Sequence, residues 1–290
     1  MGIYVVTGSA SGIGHAVAER LRADGHKVIG VDLADAEVIA DLSGPEGRQH
    51  AISAVLGAAG GTLDGAVMAA GVGPGGPVSR ARLVAEVNFF GVIDLLEAWR
   101  PTLAAGRGAK VVVISSNSAT TTPLVPGRTV RALLKRDAGR AFRSLRLLGP
   151  GATSIMYAAS KLAVGRWIRR TAVRADWADE GVRLNGLAPG AVLTPLLQSQ
   201  LEDPKQRAAV RAFPIPVREF GSPDKIADWA TFMLGDAANS LCGSILTVDG
   251  GTDAFFRADD WPAKVPLRQL GGYLRAFRAG PKVRRNSKGT

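Results

Sequence analysis

The sequence predicts an α/β fold built on a doubly wound parallel sheet. Short Val/Ile-rich runs alternate with helical stretches along most of the chain, the pattern of a parallel sheet covered on both faces. A glycine-rich turn, TGSASGIG at 7–14, directly follows the first apolar run and opens the first helix. The chain holds 36 glycines, which suits many tight connections between strands and helices.

The elements follow in order. IYVVTG (3–8) reads as a buried strand and HAVAERLRADG (15–25) as a helix closed by Gly25. KVIGVDL (27–33) is a second strand, and LDGAVMAAG (63–71) contains a third. VAEVNFFGVIDLLEAWRPTL (84–103) has helical spacing, followed by the strand AKVVVISS (109–116). Residues 156–181 read as one long helix ending at Gly181, and VRLNGLAPG (182–190) as a strand running into a Pro-Gly turn. SPDKIADWATFML (222–234) is a helix capped by Ser222, and GSILTVDGG (243–251) is the last strand. No internal repeat or low-complexity linker interrupts this order. One domain over 1–256, with an insertion at 117–150 and a basic extension at 257–290, is the expected organisation.

Bulk properties narrow the function. Of 290 residues, 46% are apolar, enough for a sizeable core. A single cysteine, Cys242, excludes an internal disulfide and points to a reducing compartment. His15, His26 and His50 are scattered and form no metal motif. Neither a signal peptide nor a membrane span is expected, so the expected location is the cytoplasm. The net charge of +11 is uneven. Residues 117–150 carry seven basic residues and one acid, and residues 257–290 carry nine basic residues and two acids. The remainder is slightly acidic, so the high isoelectric point is no argument for nucleic acid.

Three motifs carry chemistry. Gly8, Gly12 and Gly14 permit a tight turn through which a backbone approaches a pyrophosphate at a helix N-terminus. Asp32 ends the second strand eighteen residues after Gly14. A carboxylate there accepts the ribose hydroxyls of NAD and repels a 2′-phosphate, and no base stands at Ser9, Ala10 or Ser11 to hold one. YAASK (157–161) places a phenol and an ammonium at i and i+4 on one helix face. Alone, each has an ordinary structural explanation: a turn, a strand end, a half-buried tyrosine beside a solvated lysine.

Taken together and in order, the glycine spacing, AAG (69–71), Asn88 in VNFFG, Ser116 closing VVVISS, Tyr157-x-x-x-Lys161 and APGAVLTP (188–195) resemble the short-chain dehydrogenase/reductases. The resemblance covers about residues 2–252 and implies a Rossmann fold. DAEVIADLS (35–43), the 41-residue step from Ser116 to Tyr157 and TPLLQ (194–198) are most similar to the bacterial 3α-hydroxysteroid dehydrogenase/carbonyl reductase group. The resemblance implies roles. Tyr157 is the general acid/base, with Lys161 and the charged nicotinamide lowering its pKa. Ser116, rather than Ser115, orients the substrate oxygen. Asn88 holds a water that connects Lys161 to solvent, or satisfies backbone at a helix kink. The cofactor is expected to be NAD. Gly8, Ser11, Gly12, Ile13 and Gly14 surround its pyrophosphate, and Asp32 its ribose. Asp41 and Leu42 face the adenine, Ala70 and Gly71 pass beneath the ribose, and Tyr157 and Lys161 also belong to the cofactor-binding set. Pro189, Gly190, Val192 and Thr194 hold the carboxamide. AAG departs from the Asn-Asn-Gly or Asn-Ala-Gly of many relatives.

Leu196, Leu197 and residues 198–215 are the expected lid, and the insertion the facing wall. Leu124, Val125, Pro195, Phe213 and Ile215 make this region apolar. A hydroxysteroid or other bulky apolar alcohol or ketone is the expected small-molecule substrate. A hydroxyacyl thioester of coenzyme A, or a non-catalytic NAD sensor, is the alternative. Val130, Leu134, Ala138, Ala141, Leu145 and Leu148 form a helical stripe in the insertion, and Leu267, Leu270, Leu274 and Phe277 form one in the tail. Docking on the parent domain or on another subunit of a homodimer or homotetramer is the expected use of both. Contact with a membrane surface is the alternative for the tail.

Overall fold

The computed structural model describes residues 1–106, 108–260 and 266–281. The chain divides into two compact units, Met1–Phe256 and Arg257–Thr290.

The first unit is built on a seven-stranded sheet in the order β3-β2-β1-β4-β5-β6-β7, with every pairing parallel. The strands are β1 (Ile3–Thr7), β2 (Lys27–Asp32), β3 (Val38–Ile39), β4 (Gly65–Met68), β5 (Lys110–Ile114), β6 (Arg183–Pro189) and β7 (Ile245–Val248). Six match the sequence pattern. The two-residue edge strand β3 is too short to show a period of its own.

Alternation along each strand creates two cores. Val6, Val67, Val112 and Leu187 face one side, where α1 (Gly12–Ala23) brings Val17 and Leu21. A second helix on that face, Pro223–Leu234, brings Ile226 and Ala230. Val5, Ala66, Val111 and Val113 face the other. That side is covered by α2 (Pro45–Ala59), a run formed by α3 (Arg80–Ala85), a π-helical turn (Glu86–Phe90) and α4 (Gly91–Ala105), and a helix at Ala152–Thr171. Ser222 accepts a hydrogen bond from the Lys225 N–H (3.3 Å), the expected cap. The expected helix over 156–181 is shorter at its end. It stops at Thr171, and only a turn at Ala175–Ala178 follows before Gly181.

The insertion is helical but not one helix. After α5 (Ser118–Thr121), α6 (Gly127–Leu134) and α7 (Ala138–Arg143) are separated by a turn in which Arg136 has φ +61°. Asp137 then caps α7 by accepting the Arg140 N–H (2.7 Å). A 3₁₀ turn (Arg146–Gly151) leads into α8 (Ala152–Thr171). Val130, Leu133, Ala141 and Leu145 are fully buried in the core shared with α8, whereas Leu148 is exposed. Leu133, three residues after Val130, shares its buried face within α6, and Leu134 packs partly against the same core. Arg136 reaches α4, pairing with Asp94 and with Glu97 (3.0 Å).

The remaining helices are α9 (Ala175–Ala178), α10 (Pro195–Glu202), α11 (Pro204–Ala212), α12 (Pro223–Leu234), α13 (Thr252–Arg257) and, in the second unit, α14 (Leu270–Ala279). Among the described residues no helix is long and apolar enough to cross a membrane.

Candidate active site

The strand order reverses between β1 and β4, and the residues singled out in the sequence gather at the carboxyl ends of the strands, where open α/β sheets place ligands. Gly8 leaves β1 with φ +72°, and a Cβ there would stand 2.7 Å from the Ala70 nitrogen. A Cβ on Gly14 would stand 2.0 Å from the Gly8 oxygen. Neither position admits a side chain, so the turn is closed by steric necessity. Ser11 precedes α1 without capping it, and the first turn holds no acid. The leading N–H groups of α1 therefore face the turn with no side-chain partner, which suits an anion. Asp32 is half-buried at the end of β2. One carboxylate oxygen accepts the Ala10 N–H (2.9 Å) and the other the Leu33 N–H (2.7 Å). A carboxylate offers about four acceptor positions, so room for two hydroxyl donors remains. Turn, helix end and carboxylate together fit a nicotinamide dinucleotide.

The loop around Asp41 and Leu42 shows an organiser that motif reading missed. Asp41 accepts the Ser43 N–H (2.9 Å), and that bond holds its carboxyl below the usual range. The Leu42 carbonyl accepts from the buried Arg48 guanidinium (3.1 Å). Arg48 also pairs with Glu86 (3.1 Å) and Asp94 (2.9 Å), tying this loop to the π-helical turn and to α4. A lone arginine within a helix gives no sequence signal for such a role.

Asn88 lies fully buried in the π-helical turn. Its amide oxygen accepts the Val72 N–H (2.7 Å), and its amide nitrogen donates to the Val72 carbonyl (2.9 Å). Asn88 thus clamps the chain just beyond Gly71. A Cβ on Gly71 would lie 3.3 Å from the Asn88 Oδ1 and 3.8 Å from the Lys161 Nζ, so three of the singled-out residues converge here.

β5 ends at Ile114, leaving both serines beyond the strand. They still diverge. The Ser115 hydroxyl donates to the Lys161 carbonyl (3.4 Å), whereas the Ser116 hydroxyl accepts the Ser118 N–H (3.2 Å) and stands on the Tyr157 side, where it favours the phenolate. Tyr157 and Lys161 share one face of α8, with the Lys161 Nζ 5.8 Å from the tyrosine ring centre. Lys161 is buried and donates to the Ile114 carbonyl (2.9 Å). Burial pushes its ammonium down to about 8. Burial also raises the Tyr157 phenol above its ordinary value, with the Ser116 hydroxyl opposing that rise. In the protein alone the phenol is therefore not lowered as the motif suggests. Burial outweighs the Ser116 hydroxyl.

The segments after Ser116 and after β7 are held together by residues that the sequence reading passed over. Asn117 donates from its side chain to Asp249 (3.2 Å) and from its backbone to the Pro189 carbonyl (2.9 Å). Thr120 donates to Asp253 (2.5 Å), and Thr252 to the Pro214 carbonyl (2.9 Å). The segment after Ser116 is thus fastened to the one after β7, and that in turn to the end of the lid. A Cβ on Gly190 would stand 2.8 Å from the Asp249 Cα, setting the Pro-Gly turn directly against this segment. Val192 is buried, and Thr194 caps α10 by accepting the Leu197 N–H (3.4 Å). In the lid, α10 lays Leu196 over Gly73, where a Cβ would come within 2.7 Å of it. Phe213 packs near Phe256 at 6.3 Å. Of the expected wall, Leu124 points to solvent at 92% exposure, and α6 and α7 pack on the helices rather than over the lid.

Comparison with known proteins agrees with this geometry. The sequence model described as short chain dehydrogenase matches residues 3–125, and that described as Enoyl-(Acyl carrier protein) reductase matches residues 140–253. The chain is 38% identical to the 3-alpha-hydroxysteroid dehydrogenase/carbonyl reductase of Comamonas testosteroni, over 89% of its own length and 98% of the relative's. The crystal structure of the 3-alpha-hydroxysteroid dehydrogenase from Pseudomonas sp. complexed with NADH superposes with a TM-score of 0.82 at 43% identity, covering 89% of this chain and 99% of that one. A short chain dehydrogenase from Burkholderia cenocepacia in complex with NADP gives a TM-score of 0.68 at 26% identity, covering 87% and 97%. The chain belongs to the short-chain dehydrogenase family and is an oxidoreductase of that family.

Proposed function

We propose that this enzyme uses NAD(H) to interconvert a bulky apolar secondary alcohol, of the hydroxysteroid kind, and its ketone. The observation that carries the reading is Tyr157 on the same face of α8 as the buried Lys161, whose Nζ lies 5.8 Å from the tyrosine ring centre and donates to the Ile114 carbonyl at the end of β5. The Gly8–Gly14 turn and the N-terminus of α1 would hold the pyrophosphate, with Ser11 and Ile13 in that turn. Asp32 would hold the ribose hydroxyls, and Asp41, Leu42, Ala70 and Gly71 the adenosine half. Pro189, Gly190, Val192 and Thr194 would hold the carboxamide. The bound cofactor supplies or accepts the hydride.

The chain's own residues handle the oxygen and the proton. Ser116 orients the substrate oxygen towards the Tyr157 hydroxyl. Near neutral pH the buried phenol is protonated and Lys161 is charged, which is the state that donates a proton to a carbonyl. For oxidation, the phenolate gains from the same ammonium and from the Ser116 hydroxyl. Asn88 keeps Val72 and Gly71 in place, and Arg48 does the same for Leu42. The lid supplies apolar side chains, Leu196, Leu197 and Phe213, which suit a steroid-like surface better than a sugar.

Absorbance of NADH during turnover tests the reading. Steroid ketones and other bulky apolar ketones should be reduced, and hydroxyacyl-CoA substrates should not. Asp32→Ala should weaken NADH binding and relax the discrimination against NADPH, because two ribose contacts and a repulsive charge disappear together. A wild-type preference for NADPH defeats the assignment of Asp32.

A further inference from the structure

We propose that α14, with the basic residues around it, docks this enzyme on an anionic lipid bilayer. The tail lies beyond the residues that the family's sequence models match. The family's sequence models end at residue 253, and relatives match almost whole against 89% of this chain.

Leu267, Leu270, Tyr273, Leu274 and Phe277 recur at helical spacing and project along one arc. The structure leaves them exposed, Leu267 at 87% and Phe277 at 70%. Such an arc in water gains by entering an apolar phase. Arg278 and Arg275 follow the arc along one border. Their stems can lie on an apolar surface while the guanidinium groups reach headgroups. Residues 261–290 contain eight basic residues and no acid, a composition of a single sign that complements an anionic surface. An apolar face gives weak, reversible binding by itself, and a basic cluster adds the second attraction that stable anchoring needs.

Other occupants fit less well. Nucleic acid would meet the arginines but leave the Leu and Phe arc in water. The ten-residue α14 is too short to span a bilayer, so the helix lies in the interfacial plane. Gly271 and Gly272 weaken it as an isolated helix, which makes a surface that stabilises the folded form effective.

The test is co-sedimentation of the full chain with phosphatidylcholine vesicles, with and without phosphatidylserine, at low and high salt. Binding is expected only with phosphatidylserine and is lost at high salt. Leu274→Gln combined with Phe277→Gln should weaken it by about tenfold or more, with the thermal transition unchanged. Truncation after Arg257 should abolish it. Three results overturn the proposal. The glutamine variant binds as tightly as the parent, which leaves only a non-specific polyanion contact. The truncated chain still binds, which moves the contact elsewhere. Or no vesicles are bound while the glutamine variant changes the mass in size-exclusion chromatography, which makes the face an interface between copies.

Discussion

The insertion and the tail are written in the same alphabet, and the structure treats them in opposite ways. Each is rich in arginine and carries an apolar stripe at helical spacing. In the insertion, Val130, Leu133, Ala141 and Leu145 are fully buried, and Arg136 is turned onto Asp94 and Glu97. In the tail, Leu267, Leu270, Leu274 and Phe277 are exposed. The difference teaches that a helical stripe states only that a face wants cover. What covers it depends on whether the chain on both sides is anchored. The insertion lies between Ser116 and Tyr157, both held in the site, so its ends are fixed and folding back costs little further chain entropy.

The largest expected effect locates the chemistry on one side of this comparison. Tyr157→Phe keeps the ring and removes the acid. Turnover should fall by about 10²–10⁴ while NADH titration remains near normal. Deleting residues 258–290 should change kcat/KM for a neutral ketone by less than about tenfold, or 1.4 kcal/mol. Comparable losses from the two would break the division of labour.

Next comes stability. Leu133→Ala in the insertion should cost about 2–5 kcal/mol in urea unfolding. Leu274→Ala in the tail should stay within about 0.5 kcal/mol. Equal costs would mean that the tail is packed in solution.

Lys161 gives a pH signature. Its ammonium is held down to about 8 in the folded protein and titrates near 10.5 when unfolded. Between those values the unfolded state binds more protons. The penalty for burying the charge is therefore fully present below pH 8 and is relieved as pH rises towards 10.5. Relative to Lys161→Met, wild-type stability should rise across that window by up to ~3 kcal/mol. A flat difference would show that Lys161 keeps its charge.

The smallest effect is at the break in the insertion. The Arg136 ion pairs are partly exposed, so Arg136→Ala should cost no more than about 1 kcal/mol. Arg136→Gly should cost less than alanine, because φ +61° suits glycine. If glycine is the worse of the two, the ion pairs and not the backbone hold the turn.

Much of this was legible beforehand because it follows from local rules. Strand alternation determined both cores. The glycines of TGSASGIG sit where a Cβ would collide with Ala70 or Gly8, and Tyr157 and Lys161 share a helix face through spacing alone. Three things were not legible. β3 is two residues long and exists only because β2 is beside it. The helix expected to reach Gly181 stops at Thr171, with only a short turn beyond. Arg48, Asn117, Asp249 and Asp253 act through partners up to 133 residues away, and no local pattern encodes such pairs.

By itself, then, the sequence determined the α/β class and the order of six sheet-building segments, since these rest on short-range periodicity, while the catalytic roles came from the resemblance of the ordered motifs to a family. Tertiary structure alone decided which stripe is buried and where the insertion breaks. It also decided that Asn88 clamps Val72 and that burial raises Tyr157 and lowers Lys161. Burial and long-range pairing are properties of the whole packed chain, and they fix the energies on which the site's proton chemistry depends.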